Sequence, residues 1–117
     1  MRNLADYKIY LERMSKPLQE KLKVIKFVPR SATRILDVGC ADGVLTTAMA
    51  KMMSGVHFLG VDLDDRFIEF AKKKSTGLNN VSFERIYLRD LLARPERFDA
   101  VIFSSVLHEF FTYGEGI

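Results

Sequence analysis

The chain has 117 residues, a length that fits one domain of common size. Its composition is 48% hydrophobic and 28% charged, which is ordinary for a globular protein and excludes a disordered or fibrous chain. No apolar run approaches the ~20 residues of a membrane span, and the first residues lack the uninterrupted apolar region of a secretory signal. We therefore expect a cytoplasmic protein that does not enter a membrane.

The net charge of +3 hides an asymmetry along the chain. Residues 1–34 carry nine Lys and Arg against three Asp and Glu, whereas residues 35–117 carry nine against twelve. One interpretation is a basic arm that binds nucleic acid or another polyanion. The other is an amphipathic helix packed on the sheet edge with a lysine-rich face in solvent. We favour the second, because the charges lack interleaved aromatic residues and no recognition motif is present.

Helical spacing is visible in this amino-terminal segment. Proline suits the first turn of a helix and the residues just beyond its end, so Pro17 and Pro29 bracket one predicted helix. A shorter helix precedes it, with a break at residues 15–17. The apolar positions of the two helices are Tyr7, Leu11 and Met14, then Leu18, Leu22, Ile25 and Val28.

A strand, a tight turn and a helix follow. The apolar positions Ile35, Leu36 and Val38 predict a buried strand, and Gly39 and Gly43 bracket the turn. Apolar residues then recur at positions 45, 48, 49, 52 and 53, which is helical spacing. Such a junction offers backbone N–H groups and the positive end of a helix to a ligand that lies across the strand end.

The second predicted strand, residues 56–62, ends in a carboxylate. Asp62 lies 23 residues after Gly39, close to the separation of about 20 residues at which an acidic side chain holds a ribose. Binding of an adenosyl cofactor is therefore the leading hypothesis. The single cysteine, Cys40, cannot form an internal disulfide, which fits a reducing compartment. We interpret it as a packing residue of the turn rather than a reactive thiol.

The rest of the chain alternates between strands and helices. Asp64 or Asp65 caps a helix that runs to Lys74, with positions 67, 70 and 71 facing inward. A third strand over residues 81–87 and a short connection over 89–95 lead to a fourth strand over 98–104. This alternation predicts a parallel sheet with right-handed crossovers.

Three blocks of this sequence, residues 37–43, 60–63 and 98–109, resemble the class I S-adenosylmethionine-dependent methyltransferases. In that family they are the glycine-rich motif after strand one, the acidic end of strand two, and strand four with the residues after it. The resemblance covers roughly residues 34–113. Two positions depart from the family pattern: Ala41 replaces a usual glycine, and Tyr87 stands where an acidic residue is common.

The resemblance implies an α/β fold with a Rossmann-like parallel sheet in the strand order 3-2-1-4, flanked by helices and truncated after the fourth strand. Residues 1–30 would form an amino-terminal helical segment and residues 31–117 the cofactor-binding domain. Ligands would bind in the crevice between strands one and four. The implied cofactor is S-adenosyl-L-methionine, with S-adenosyl-L-homocysteine as the product. The implied contacts come from Asp37, Gly39, Cys40, Ala41, Gly43, Asp62, Leu63, Tyr87, Leu88, Ser104 and Ser105.

By the same resemblance, Asp37 orders the turn and reaches toward the amino-acid part of the cofactor. Asp62 accepts hydrogen bonds from both ribose hydroxyls, or else merely caps the next helix. Leu63 flanks the adenine, and the N–H of Leu88 meets the adenine edge together with Tyr87. Ser104 and Ser105 border the other side of the crevice.

The expected chemistry is displacement of a methyl group from a sulfonium, to which the protein contributes mainly positioning. His108 and Glu109 form the ionisable pair near the expected methyl position, and we treat them as catalytic candidates. The alternative is that both only begin the next helix. His57 is expected to be structural, and no Cys/His spacing suggests a metal site.

Two function classes remain open: a methyltransferase with an unidentified acceptor, and a non-catalytic module that binds the cofactor or joins an assembly. A nicotinamide-linked oxidoreductase is a distant third, because that turn requires glycine at positions occupied here by Ala41 and Val44. Family members continue beyond strand four. The apolar edge of that strand therefore predicts one of three arrangements: a fragment of a longer enzyme, which we favour, a homodimer through this edge, or coverage by the amino-terminal helices.

Overall fold

The computed structural model of the chain describes the backbone of residues 16–103 and the side chains of residues 18–103. Four helices and a 3₁₀ helix alternate with four strands in this range. In chain order they are α1 (Lys16–Leu22), the 3₁₀ helix (Lys23–Phe27), β1 (Arg34–Val38), α2 (Val44–Met52), β2 (His57–Asp62), α3 (Asp65–Lys74), β3 (Val81–Arg85), α4 (Leu88–Leu92) and β4 (Ala100–Phe103).

The four strands form one parallel sheet in the order β3-β2-β1-β4, which confirms the predicted 3-2-1-4 topology. In the register between strands, Asp37 lies opposite Gly60 and Ile102, and Asp62 lies opposite Arg85. Because all strands run in one direction, their carboxyl ends meet at a single edge of the sheet. The glycine turn and the end of β2 are therefore neighbours in space.

Within residues 16–103, the two faces of the sheet are covered unequally. One face, with Ile35 and Phe58 at its centre, packs against α1 and α2, and α3 packs beside them through Ala71. The opposite face carries a smaller cluster of Leu36, Leu59 and Val61 that α4 covers through Leu91. At the β4 end of the sheet, Val101 and Phe103 are 47% and 41% exposed.

The amino-terminal segment packs on the core at residues 18–28. Leu22 is 2% exposed and joins the α1–α2 cluster, while Lys21, Lys23 and Lys26 are exposed. This arrangement agrees with the packed amphipathic interpretation for these residues, except that the segment packs with α2 on one face of the sheet rather than on the sheet edge. The second half of the predicted helix is 3₁₀, and at its end the N–H of Val28 donates to the carbonyl of Ile25 at 3.0 Å.

The prediction that Phe67 and Phe70 face inward is wrong. They are 42% and 45% exposed, and Ile68 and Ala71 are the buried positions of α3. Since residues three apart share one helix face, Ile68 and Ala71 form the core-facing stripe, and Phe70 instead packs against Lys74, whose Nζ lies 4.9 Å from the ring centroid.

Two further local features differ from the sequence prediction. The stretch expected to be a plain connection contains α4, which begins after Tyr87. The side chain of Asn80 is buried and donates to the carbonyls of Ala50 at 2.8 Å and Val56 at 3.0 Å, which ties the end of α2 to the start of β3.

The start of β4 is attached to the start of β1 by a carboxylate. Asp99 Oδ2 accepts from the N–H of Thr33 at 2.7 Å, the N–H of Arg34 at 3.0 Å and the hydroxyl of Thr33 at 3.2 Å. The amide of Asp99 donates in turn to the carbonyl of Arg34 at 2.8 Å. The hydrogen bond from the Thr33 amide, followed by that from Arg34, lowers the pKa of Asp99 below its ordinary value of 3.8.

This attachment makes stability depend on acid. Because the pKa of Asp99 is lowered in the folded state, its stabilisation of the fold is fully present above pH 3.8. This stabilisation is lost as the pH falls through the lowered pKa. We expect Asp99→Asn to lower the free energy of unfolding at pH ~7 and to reduce its fall below pH ~4. Urea unfolding at both pH values measures this. The exposed Asp90, which only approaches Arg89 at 3.8 Å, provides the control Asp90→Asn. If the free energy of unfolding fell equally at acid pH in both variants, Asp99 would not be the source of this acid dependence.

Candidate functional site

The turn between β1 and α2 is held by backbone hydrogen bonds to the end of β2. The amides of Gly39 and Cys40 both donate to the carbonyl of Val61, at 2.9 and 3.0 Å, and the amide of Gly43 donates to the carbonyl of Cys40 at 2.9 Å. Gly39 and Gly43 have φ of 73° and 77°, a region that glycine adopts without strain. The turn is therefore a defined structure that depends on its neighbouring strand.

Ala41 adopts the same left-handed region with φ of 51°. A residue with a Cβ pays about 1–2 kcal/mol for this conformation, so an interaction must compensate. The amide of Ala41 donates to Asp62 Oδ2 at 2.9 Å, and this hydrogen bond to a charged group is of suitable strength.

Asp62 bridges two backbone segments at the carboxyl edge of the sheet. Besides the bond from Ala41, its Oδ1 accepts from the amide of Asp64 at 3.0 Å. The side chain is half-buried, and a carboxylate offers about four acceptor positions. Asp62 therefore orders both the turn and the start of α3 and keeps acceptor capacity for a ligand.

Asp37, at the end of β1, is fully buried. Its Oδ2 accepts from the hydroxyl of Thr46 at 2.6 Å, and Thr46 is equally buried in the first turn of α2. This geometry supports the predicted role of Asp37 in ordering the turn. Thr46 was not among the predicted residues, although its place one turn after Gly43 was a usable signal.

The ring of Phe83 lies under the site. A Cβ built on Gly60 would lie 2.7 Å from two ring carbons of Phe83, and one built on Gly43 would lie 2.7 Å from its Cζ. Gly43 would also meet the Cβ of Ala71 at 2.7 Å. Glycine at both positions thus permits close packing of β3 and α3 beneath the turn, a contact that sequence analysis did not identify.

Cys40 packs with Ile68, Ala71 and Phe83 and is 4% exposed. Burial, and then the charges of nearby carboxylates, raise the pKa of its thiol well above its usual range. A protonated, buried thiol is a poor nucleophile. The side chain therefore behaves as a packing group.

Apolar side chains form a rim at the carboxyl ends of β2 and β3. Leu63, Tyr87 and Leu88 are 50%, 47% and 36% exposed. The guanidinium of Arg89 lies 5.3 Å from the ring centroid of Tyr87, and Arg85 Nε donates to the carbonyl of Leu63 at 2.9 Å. As the first residue of α4, Leu88 has an N–H with no acceptor inside its helix.

The remaining predicted site residues, Ser104, Ser105, His108 and Glu109, lie outside the described residues, so their roles stay predictions. His57 lies at the opposite end of β2, where its Nε2 is 3.3 Å from the hydroxyl of Ser82. Among residues 16–103, no His, Cys, Asp and Glu side chains group as metal ligands would. In the same range, every helix is too short or too polar to span a membrane.

Comparison with known proteins identifies the relatives of this chain. A family described as a methyltransferase domain matches residues 29–114. The ubiquinone biosynthesis O-methyltransferase of Xylella fastidiosa (strain 9a5c) is 37% identical over 81 residues, which are 67% of this chain and 32% of that protein. The enzyme of the same name from Neisseria meningitidis serogroup C is 40% identical over 73 residues, 58% of this chain and 29% of that protein.

Solved structures of proteins crystallised with SAH or AdoHcy are also similar to this chain. The amino-terminal domain of EvdMO1 with SAH bound has a TM-score of 0.63 and 27% identity, over 75% of this chain and 38% of that one. PKMT2 from Rickettsia typhi in complex with AdoHcy has a TM-score of 0.56 and 26% identity, over 79% of this chain and 18% of that one. The chain spans about a third of the length of the curated relatives it matches.

The packing of Phe83 on Gly60 is tested by adding one methyl group. We expect Gly60→Ala to lower the free energy of unfolding by about 1–3 kcal/mol, the usual cost of overpacking, because its Cβ would overlap the ring. Gly55→Ala is the matched control, since a Cβ there meets nothing within 4 Å. Urea unfolding compares them, and equal stabilities would show that Phe83 moves aside freely.

The backbone strain at Ala41 predicts that a substitution there raises the free energy of unfolding. Ala41→Gly should raise the free energy of unfolding by about 0.5–1 kcal/mol, since the relief of φ strain exceeds the entropy cost of a new glycine. Ala93→Gly should lower it, because Ala93 has an ordinary helical φ of −77°. Thermal unfolding of both variants measures the difference, and a loss of stability in Ala41→Gly would refute the strain.

Proposed function

The chain belongs to the class I S-adenosylmethionine-dependent methyltransferase family, and on that premise we propose that it binds S-adenosyl-L-methionine across the 39–43 turn for transfer of the methyl group. The observation that carries the proposal is the position of Asp62. It lies on the strand beside the turn, holds the turn through Ala41, and retains acceptor capacity.

The residues present suit the chemical parts of this cofactor. A sugar with two hydroxyl groups is well matched by the half-buried carboxylate of Asp62. A flat heterocycle is matched by the exposed Leu63 and Tyr87, and the N–H of Leu88, which has no acceptor inside its helix, suits its edge. The amides of Gly39 and Cys40 donate within the protein, so the main chain of the turn would contribute its carbonyl groups to the methionyl end.

When bound, the cofactor supplies a methyl group on a positively charged sulfur, and S-adenosyl-L-homocysteine is the product. The protein needs to orient this group toward an acceptor and to exclude water. We propose that His108 accepts the proton that a hydroxyl acceptor loses, and that Glu109 helps to orient that acceptor. Ser104 and Ser105 would border the acceptor side of the crevice.

The acceptor is proposed from the relatives, and the partners from the exposed surface of the chain. The curated relatives are O-methyltransferases, so acceptors with a hydroxyl group are the first to test. The exposure of Val101 and Phe103 supports a homodimer through β4. Nucleic acid has little support, since the basic α1 segment packs on the core. The buried free thiol of Cys40 is compatible with a cytoplasmic location.

Calorimetric titration of the full chain tests the proposal directly. We expect binding of S-adenosyl-L-methionine and S-adenosyl-L-homocysteine and no binding of NAD. Methyl transfer to a panel of hydroxyl acceptors is then measured with a labelled methyl group. Binding without transfer to any acceptor would favour the alternative function, a non-catalytic cofactor-binding module. The absence of binding to both adenosyl compounds would refute the proposal.

Asp62→Ala tests the ribose contact. We expect cofactor affinity to fall by about 1.5–3 kcal/mol, the range for hydrogen bonds to charged groups, and the turn to loosen as Ala41 loses its acceptor. Asp65→Ala is the control, since Asp65 is exposed and pairs only loosely with Arg85 at 3.5 Å. Unchanged affinity in Asp62→Ala would remove this residue from the cofactor site.

A further inference from the structure

Thr46 and Asp37 form a pair with no exposed surface directly behind the turn. The distance of 2.6 Å between the Thr46 hydroxyl and Asp37 Oδ2 is typical of a hydrogen bond to an ionised carboxylate. A carboxylate in such a place loses its hydration, so it remains charged only where donors replace the water. The hydroxyl of Thr46 is one such donor, and the amino end of α2 adds a favourable dipole.

Cys40 lies in the same turn, three residues after Asp37. Besides burial, the charges of Asp37, Asp62 and Asp42 all raise the pKa of its thiol. Of these three carboxylates, Asp37 alone is completely buried, and Asp62 and Asp42 are half-buried. Solvent therefore screens the field of Asp37 least.

We propose that Thr46 is a positioning residue that holds Asp37 as a buried anion, and that this anion raises the affinity of the site for a cationic sulfonium relative to the neutral thioether product. This inference rests on the proposed function, because it assumes that the cofactor lies across the turn. The two ligands differ by one methyl group and one positive charge on sulfur. The charge difference is the part that a buried carboxylate can sense.

The neighbouring Thr47 offers a matched control. Its hydroxyl is buried and has no hydrogen-bond partner in the part of the chain that the structure describes. Thr46→Val and Thr47→Val make the same chemical change one residue apart on α2, yet only the first removes a donor from Asp37. Thr46→Ser keeps the hydroxyl, and Asp37→Asn removes the charge with little change in shape.

The experiment measures the dissociation constants of S-adenosyl-L-methionine and S-adenosyl-L-homocysteine for the full chain and these four variants, with thermal melts to verify folding. In Thr46→Val we expect the affinity for the sulfonium to fall roughly fivefold more than that for the thioether, a difference of about 1 kcal/mol in binding free energy. Asp37→Asn should shift the ratio further in the same direction. Thr46→Ser and Thr47→Val should leave the ratio unchanged.

Equal loss of both ligands in Thr46→Val and Asp37→Asn would overturn the inference, since the pair would then only support the fold, and the proposed function would still stand. A wild-type chain that binds neither ligand would instead defeat the proposed function. If Thr46→Val does not fold, the ratio in Asp37→Asn decides the question, with Thr46→Ser as the folded reference.

Discussion

The hydrogen bond from the Ala41 amide to Asp62 joins the two elements on which the rest of the site depends. It connects the turn after β1 to the end of β2 at 2.9 Å and holds Ala41 in a conformation that a residue with a Cβ otherwise avoids. The same carboxylate accepts from Asp64, at the start of α3. One side chain thereby sets the relative positions of a turn, a strand end and a helix start.

This arrangement requires one register of the sheet. Side chains alternate between the faces of a strand, so a shift of β2 by one residue would move Asp62 to the opposite face. The pairing of Gly60 with Phe83 opposes such a shift, because only a residue without a side chain leaves room there for the ring of Phe83. Packing beneath the turn and hydrogen bonding above it therefore favour the same register.

Charge and burial are combined in this site in a way that suits a cationic ligand. Asp37 is buried beside Thr46, whereas Asp62 remains half-buried at the edge with acceptor positions to spare. In the proposed function, the first carboxylate would act on the cofactor through its field and the second through direct contact. The protonated, buried thiol of Cys40 contributes packing to the same turn without adding charge.

The spacing of residues along the sequence was enough to predict the strands, the turn and the parallel sheet. Gly39, Gly43 and Asp62 stand where a strand, a turn and a neighbouring strand require them, and the alternation of elements implied the parallel sheet, because these signals are residue types at regular spacing along the chain. Only the tertiary structure decided the partners of those residues. Thr46 meets Asp37, and Phe83 meets Gly60 across 23 residues of chain. The inward face of α3 was likewise decided by packing against the sheet, since a helix with apolar residues on two sides presents to the core whichever side its neighbours accommodate.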